Sequence, residues 1–216
     1  MSSKKSGYCV FDDTKLIDFG CWELNDNIEG DWRKRIKWMY ENLDLLLSKH
    51  EINIIYCEDV PPSIENSQTV KILSALQGCV FTMCNFHNID IIFVPVSKWK
   101  NIVGIDLTHS KEFKKILKEN KNMSLTKFKG LVKAYEKKLS VENINNLFGT
   151  DFIWKSPTSK FNQDDITDSI NIVVSNIMKD RCVYSLKTKE ELLKEIFNNC
   201  KSDTQKQCIG KVPNIT

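Results

Sequence analysis

The sequence has no apolar run near the ~20 residues that a membrane-spanning helix needs, and no apolar signal-peptide segment follows its basic N-terminal residues. We therefore expect an intracellular, cytoplasmic protein. No internal repeat occurs, which argues against a solenoid or propeller. With 216 residues, 41% of them hydrophobic and 27% charged, the chain is long enough to bury the core of a globular domain.

The sequence also lacks the ligand spacing of a zinc site. None of the eight cysteines belongs to a C-x-x-C pair, and the three histidines, His50, His87 and His109, are scattered. Structural zinc sites are usually built from such close pairs. We expect free, largely buried thiols of the kind found in a reducing cytosol.

The net charge of +3 is small, so bulk charge neither requires nor excludes a nucleic-acid partner. The charge is uneven, because lysines far outnumber acidic residues in residues 98–138. Such a stretch can follow the phosphates of a nucleic acid, or it can simply be the solvated face of helices. The composition leaves both interpretations open.

The first part of the chain predicts a hairpin followed by a helix. Residues 7–12 and 16–24 are rich in aromatic and β-branched residues, as strands are, with a turn at 13–15. Residues 31–50 repeat apolar side chains with a helical period, and Asp31 is placed to cap that helix.

A strand–helix–strand unit is predicted next. Residues 52–56 are an apolar run typical of a strand buried on both faces. Residues 66–87 have a helical pattern, with Ser67 as a possible cap, and residues 89–96 predict another strand. This order implies a parallel pair of strands in an α/β sheet.

The second half of the chain is predicted to be mainly helical. Residues 111–148 are helical and rich in lysine, with interruptions at 122–124 and at Gly130, and an irregular loop at 149–161 follows. A short amphipathic helix at 189–198 precedes a polar tail that we expect to be flexible.

Two carboxylates, Asp165 and Asp168, lie one helical turn apart on a segment rich in β-branched apolar residues. Side chains at i and i+3 share a helix face, so both can point at one spot. Oxygen ligands of this kind suit Mg²⁺ or Mn²⁺. The alternative is a solvated helix start, where the helix dipole favours aspartate.

A third carboxylate, Glu58, closes the apolar run of the predicted internal strand. Open α/β sheets place their ligands at such strand ends. A strand end and a helix start can converge, and two metal ions ~3.5–4 Å apart can then clamp the attacking water and the leaving oxygen of a phosphodiester. The alternative is a charged strand terminus that faces water before the turn at Pro61 and Pro62.

Four segments in order resemble RuvC-type Holliday junction resolvases of the ribonuclease H superfamily, in particular the phage and bacterial branch. The likeness covers about residues 2–178. The matching positions are the strand-ending Glu58, the helix opening DDITDSI, the N-terminal SSKKSGYCVF, and WKNIVGIDLTHSK with Gly104, Ile105 and Lys111.

The resemblance implies a ribonuclease H-like mixed sheet flanked by helices. It implies a nuclease domain at 1–181 with a lysine-rich helical insertion at 111–148, followed by a short helix and flexible tail at 182–216. The implied activity is metal-dependent resolution of four-way or branched DNA junctions by phosphodiester hydrolysis. The expected protein is a homodimer in a bacterial or phage-infected cell.

The resemblance also implies the roles of individual residues. Glu58, Asp165 and Asp168 would hold Mg²⁺, with Mn²⁺ as an alternative, and Lys111 would stabilise charge on the phosphate. The residues expected to contact DNA are Lys98, Trp99, Lys100, Lys4 and Lys5.

The chain departs from this family at two places. The family's first strand is central in the sheet and ends in a fourth carboxylate, an aspartate that would fall one place before Met1. We therefore expect the true start to lie upstream; the alternative is a truncated or degenerate product. The aromatic wedge that some resolvases carry after the strand-ending glutamate is also absent, because residues 59–67 contain no aromatic residue.

Three other functions stay open at this point. The chain could be another ribonuclease H superfamily nuclease that trims flaps or RNA–DNA hybrids, a catalytically inactive junction-binding protein, or an α/β protein of unrelated role. Substrate preference separates the first from a resolvase. Junction binding without metal-dependent nicking identifies the second.

Overall fold

The fold is a mixed α/β arrangement, seen in a computed structural model that describes residues 4–24, 30–60, 66–119, 125–181 and 188–198. The strands are β1 (Lys5–Asp12), β2 (Lys15–Glu23), β3 (Ile54–Glu58) and β4 (Asp90–Val94). The helices are α1 (Trp32–Lys49), α2 (Ser67–Phe86), α3 (Val96–Ile102), α4 (Lys111–Glu119), α5 (Leu125–Phe148), α6 (Asp164–Ile177) and α7 (189–198), with a 3-10 turn at Lys179–Arg181. Within these ranges no helix has the length and apolar character needed to cross a membrane.

The predicted hairpin is confirmed: β1 pairs antiparallel with β2, and Tyr8 lies opposite Gly20. Asp13, in the turn, has a φ of 52°, a left-handed conformation that aspartate tolerates better than most residues. The helix that follows is also confirmed, and the side chain of Asp31 caps it by accepting a hydrogen bond from the Arg33 amide.

The predicted parallel pair is confirmed as well, since β3 and β4 run parallel and α2 connects them. Asn66, and not Ser67, caps α2, because its side chain accepts from the Thr69 amide at 3.1 Å. The prediction that the first of these strands is buried on both faces is wrong. Ile54 is 37% exposed, because a cavity borders β3.

The hairpin and the parallel pair are two separate sheets among the described residues. A cavity of about 640 Å³ lies between them, and β1, β3, α1 and α6 all contribute to its lining. Helix α6 packs closely against β1 and also reaches β3. Helix α6 therefore contacts both sheets, and among the described residues no strand pairs with both of them.

The lysine-rich segment contributes to the core of the fold. The side chains of Phe128, Val132 and Ile144, all from α5, are fully buried in the main hydrophobic core. Gly130 lies inside α5 without breaking it, so the predicted interruption there is wrong. The interruption expected at 122–124 lies outside the described residues.

Helix α7 is confirmed at 189–198, and it packs into the same core. Leu193 is fully buried, and the ring of Phe197 meets the ring of Phe128 edge-on at 5.7 Å. The division between 1–181 and 182–216 stays a prediction, and the tail after residue 198 lies outside the described residues.

The structure pairs none of the described cysteines, Cys9, Cys21, Cys57, Cys79 and Cys84, in a disulfide. As whole residues, Cys84 is buried and the other four are partly exposed, so the predicted burial is confirmed for Cys84. Burial raises the pKa of both Cys9 and Cys57 to about 12. The reactive form of cysteine is the thiolate, so these two side chains act as small apolar residues.

Candidate active site

The structure brings the three predicted carboxylates to one place. Glu58, at the end of β3, lines the cavity between the two sheets together with Asp165 and Asp168 from the first turns of α6. Lys5, at the start of β1, lines the same cavity. A strand end and a helix start that are distant in the sequence therefore present their oxygens to a shared space.

A close approach between β1 and α6 fixes the position of this helix relative to the strand. A Cβ atom on Gly7 would lie only 1.9 Å from the carbonyl oxygen of Asp165, so only glycine fits there. The same contact places the Lys5 ammonium 3.5 Å from the Asp165 carboxylate. Gly7 thus allows the start of α6 to pack directly against β1.

The Asp168 carboxylate is oriented by a buried polar network between α5 and α6. The Ser140 hydroxyl donates to Asp168 at 2.5 Å and lies 3.1 Å from the Thr167 hydroxyl. The Asn171 amide donates to Ser140 Oγ at 2.9 Å, and Asn143 donates to Asn171 at 3.2 Å. Because each member has a partner, the network can hold one rotamer of Asp168.

Burial raises the pKa of Asp168 to about 6, and the negative charges of Glu58 and Asp164 act in the same direction. The hydrogen bond from Ser140 and the charge of Lys100 oppose this rise without cancelling it. The Asp168 carboxyl is therefore harder to ionise than a free aspartate, and a cation placed beside it would favour its charged form.

Lysines compensate the neighbouring aspartates. Burial and then the charge of Asp164 raise the pKa of Asp165, while Lys5 and Lys137 lower it in part. The Lys137 ammonium lies 2.5 Å from the Asp164 carboxylate, which is almost fully buried. The opening of α6 therefore carries three acids with two lysines beside them.

The side chain of Lys100 is mostly buried. Its ammonium lies 3.1 Å from Glu136, whose other oxygen accepts from the amides of Leu107 and Thr108. Burial acts to lower the pKa of Lys100, but the charges of Glu136, Asp168 and Glu58 outweigh it and raise that pKa. Lys100 is thus a largely buried cation whose pKa is affected by the charges of Asp168 and Glu58. With 19% of its side chain exposed, its predicted contact with DNA stays a prediction.

The predicted contact of Trp99 with DNA is wrong, because this side chain is buried. The strand expected at 89–96 ends at Val94, and α3 then turns Trp99 into the core, where it is 0% exposed. The lysines on both sides of it suggested a surface position, but in a helix adjacent residues point in different directions. Lys98 remains exposed.

We expect Trp99→Ala to lower the free energy of unfolding by about 3–5 kcal/mol, as for other buried aromatic residues. Lys98→Ala, one residue away and exposed, should change it by less than about 0.5 kcal/mol. Urea unfolding of both variants measures this. Equal stabilities would contradict the buried position of Trp99.

The other predicted contacts lie at the surface or at the cavity edge. Lys111 is exposed at the first residue of α4 and does not line the cavity, and Lys4 is exposed just before β1. Lys5 pairs with Asp165 and, at 3.8 Å, with Glu23. Of the five lysines, the structure thus brings Lys5 and Lys100 closest to the predicted carboxylates.

The oxygen donors at the cavity fit a hard divalent cation by their chemistry. Among the described residues, however, no group of three or more His, Cys, Asp or Glu side chains is arranged to hold a metal ion. The three carboxylates line the cavity without meeting around one point. Metal binding at Glu58, Asp165 and Asp168 therefore stays a prediction.

The raised pKa of Asp168 predicts a pH-dependent effect on stability in the metal-free protein. The ordinary pKa of this carboxyl, 3.8, rises to about 6 in the fold, so the folded state favours the protonated form. Its ionisation costs stability as the pH rises from about 4 to 6. We expect Asp168→Asn to raise the melting temperature in EDTA at pH 8 and to leave it nearly unchanged at pH 4. A pH-independent difference would contradict this.

Sequence reasoning missed several residues of this site. Ser140, Asp164 and Lys137 were not identified, and Lys100 was given a different role. Asp164 precedes the predicted pair directly and already lies in the predicted helix opening DDITDSI, so its acidic side chain was a signal that could have been used. No sequence pattern indicated a role for Ser140 or Lys137 at this site, because their role depends on how α5 packs against α6.

No protein-family model and no curated protein matches the chain. Among solved structures it is similar to T. thermophilus RuvC in complex with Holliday junction substrate, with a TM-score of 0.45 and 8% sequence identity over 77% of this chain and 80% of that chain. A likeness at this level does not establish a shared fold.

Proposed function

We propose that this chain is a divalent-metal-dependent endonuclease of the ribonuclease H type that cuts branched DNA, four-way junctions in particular. The observation that carries the proposal is the shared cavity of Glu58, Asp165 and Asp168. The resemblance of the sequence to RuvC-type resolvases supplies the substrate class.

The residues of the cavity have distinct parts in the proposed reaction. Glu58, Asp165 and Asp168 would hold Mg²⁺ or Mn²⁺, which stabilises charge on the phosphate and lowers the pKa of bound water. Ser140 keeps the Asp168 carboxylate oriented. Lys5, which lines the cavity beside Asp165, would meet a phosphate of the scissile strand.

Further lysines would bind the DNA outside the cavity. Lys98 and Lys4 are exposed and would contact the backbone, as phosphate contacts mainly position a nucleic acid. Lys111 would contribute charge near the phosphate. Symmetric cutting of a four-way junction requires two sites related by a two-fold axis, so the proposal includes a homodimer.

A catalytically inactive DNA-binding protein is the second candidate, and one observation favours it. Lys5 and Lys137 already pair with Asp165 and Asp164, and an acid that is neutralised by a lysine attracts a cation less strongly. Such a protein would bind a junction equally well with or without a metal.

The test is incubation of the chain with a labelled four-way junction, a flap, an RNA–DNA hybrid and a linear duplex, with Mg²⁺ or with EDTA. We expect paired, symmetric nicks in the four-way junction with Mg²⁺ only. Junction binding without nicks would identify the inactive binder. Preferred cleavage of the flap or the hybrid would identify another nuclease of the superfamily.

A further inference from the structure

The loop between α5 and α6, residues 149–163, presents one large aromatic ring to solvent. Phe161 is 70% exposed, although phenylalanine is usually buried. The Cα atoms of Phe161 and Asp165 are at most ~14 Å apart, because four residues cannot span more. The exposed ring therefore belongs to the loop that leads directly into the carboxylate-bearing start of α6.

The backbone around this ring is braced by hydrogen bonds. The side chain of Asn162, which is buried, accepts from the Lys155 amide at 3.0 Å and donates to the Ser156 carbonyl at 2.6 Å. The Phe161 amide donates to the Ser159 hydroxyl at 3.2 Å. The ring is thus pre-positioned at the surface, which lowers the entropy cost of binding a partner there.

The charge around the ring is positive. The Lys155 ammonium lies 4.7 Å from the centroid of the Phe161 ring, and Lys160 is the exposed neighbour in the sequence. Residues 155–163 contain no acid. The Lys155 ammonium lies over one face of the ring. A ring with cations beside it can hold single-stranded nucleic acid, because its other face stacks on a base while the cations meet the phosphates.

We propose that Phe161 is a stacking platform for an unpaired base of a DNA strand that approaches the cavity, with Lys155 and Lys160 holding the adjacent phosphates. The inference rests on the proposed function for its DNA partner, but it requires neither a metal ion nor hydrolysis. A protein partner is the competing occupant, and the lysines beside the ring favour the nucleic acid.

The test compares Phe161→Ala with Phe161→Trp in binding a fluorescent single-stranded oligonucleotide and a synthetic four-way junction, in EDTA. We expect the alanine variant to bind the single strand roughly 5- to 150-fold more weakly, the range found for loss of one stacked base. The tryptophan variant should bind at least as tightly as the wild type.

Phe86→Ala is the matched control. Phe86 is 82% exposed at the end of α2, which leads into the start of β4. It is thus at the end of the parallel pair opposite to Glu58, since Glu58 pairs with the last residue of β4. This variant should bind DNA as the wild type does.

The dependence of affinity on salt separates stacking from charge. Each lysine that contacts a phosphate contributes about 0.7 to the slope of log affinity against log salt for single strands. Lys155→Ala and Lys160→Ala should each reduce the slope by about that amount, whereas Phe161→Ala should lower affinity at an unchanged slope.

Four results would overturn the inference. They are wild-type affinity of Phe161→Ala for DNA, an equal loss of affinity in Phe86→Ala, binding by Phe161→Trp that is no tighter than that by Phe161→Ala, and a changed oligomeric state of Phe161→Ala with unchanged DNA affinity. Because binding is measured in EDTA, its outcome is separate from nuclease activity. A wild type that binds through Phe161 but never nicks would contradict the proposed function alone.

Discussion

Replacing Asp168 by asparagine is expected to slow Mg²⁺-dependent nicking by at least about 100-fold and to leave junction binding in EDTA unchanged. Asparagine keeps the size of the side chain but removes the charge that would hold the cation. A metal ion contributes several kcal/mol of charge stabilisation in the transition state, and about 3 kcal/mol corresponds to that factor. Single-turnover nicking measures the effect.

The loss of activity can be separated from unfolding. Asp168→Asn is expected to be at least as stable as the wild type above pH 6, because burial disfavours the ionised carboxylate. Asp44→Asn is a control on α1, where the Asp44 side chain is 54% exposed, and it should nick at the wild-type rate. Full activity of Asp168→Asn would contradict the proposed role of this residue.

Replacing Gly7 by alanine is expected to lower the free energy of unfolding by at least about 3 kcal/mol. The added methyl group would meet the carbonyl of Asp165 at 1.9 Å, and a backbone atom cannot rotate away as a side chain can. Overpacking of this kind costs about 1–3 kcal/mol even where side chains can adjust. Urea unfolding of the two proteins gives the difference.

Gly78→Ala is the matched control for this clash. Gly78 lies inside α2, and a Cβ atom there would meet nothing within 4 Å. Alanine should therefore stabilise the protein by about 0.5–1 kcal/mol, because glycine is a poor helix former. If both variants had the same stability, the close packing of β1 on α6 would be contradicted.

Sequence patterns predicted those elements whose cause is local. The hairpin follows from β-branched and aromatic residues around a short turn, and the Asp31 cap precedes an apolar period. Glu58, Asp165 and Asp168 could be proposed together because a strand end and a helix start carry them. For the hairpin and the cap, residues close in the sequence contain the information, whereas the grouping of the three carboxylates rested on the resemblance.

Features that depend on packing were not predictable in the same way. The lysines beside Trp99 suggested a surface position, yet α3 directs this side chain into the core. Ser140 contacts Asp168 only because α5 packs against α6. Nothing near Lys100 in the sequence reveals its buried partner Glu136.

The most direct test of the central claim is calorimetric titration of Mg²⁺ and Mn²⁺ into the wild type and into Glu58→Gln at pH 8, where Asp168 is ionised. We expect saturable binding by the wild type and an affinity at least about 10-fold lower in the variant, since even the loss of an outer-shell partner has effects of that size. No binding by the wild type, or equal binding by both proteins, would contradict a metal site at these carboxylates.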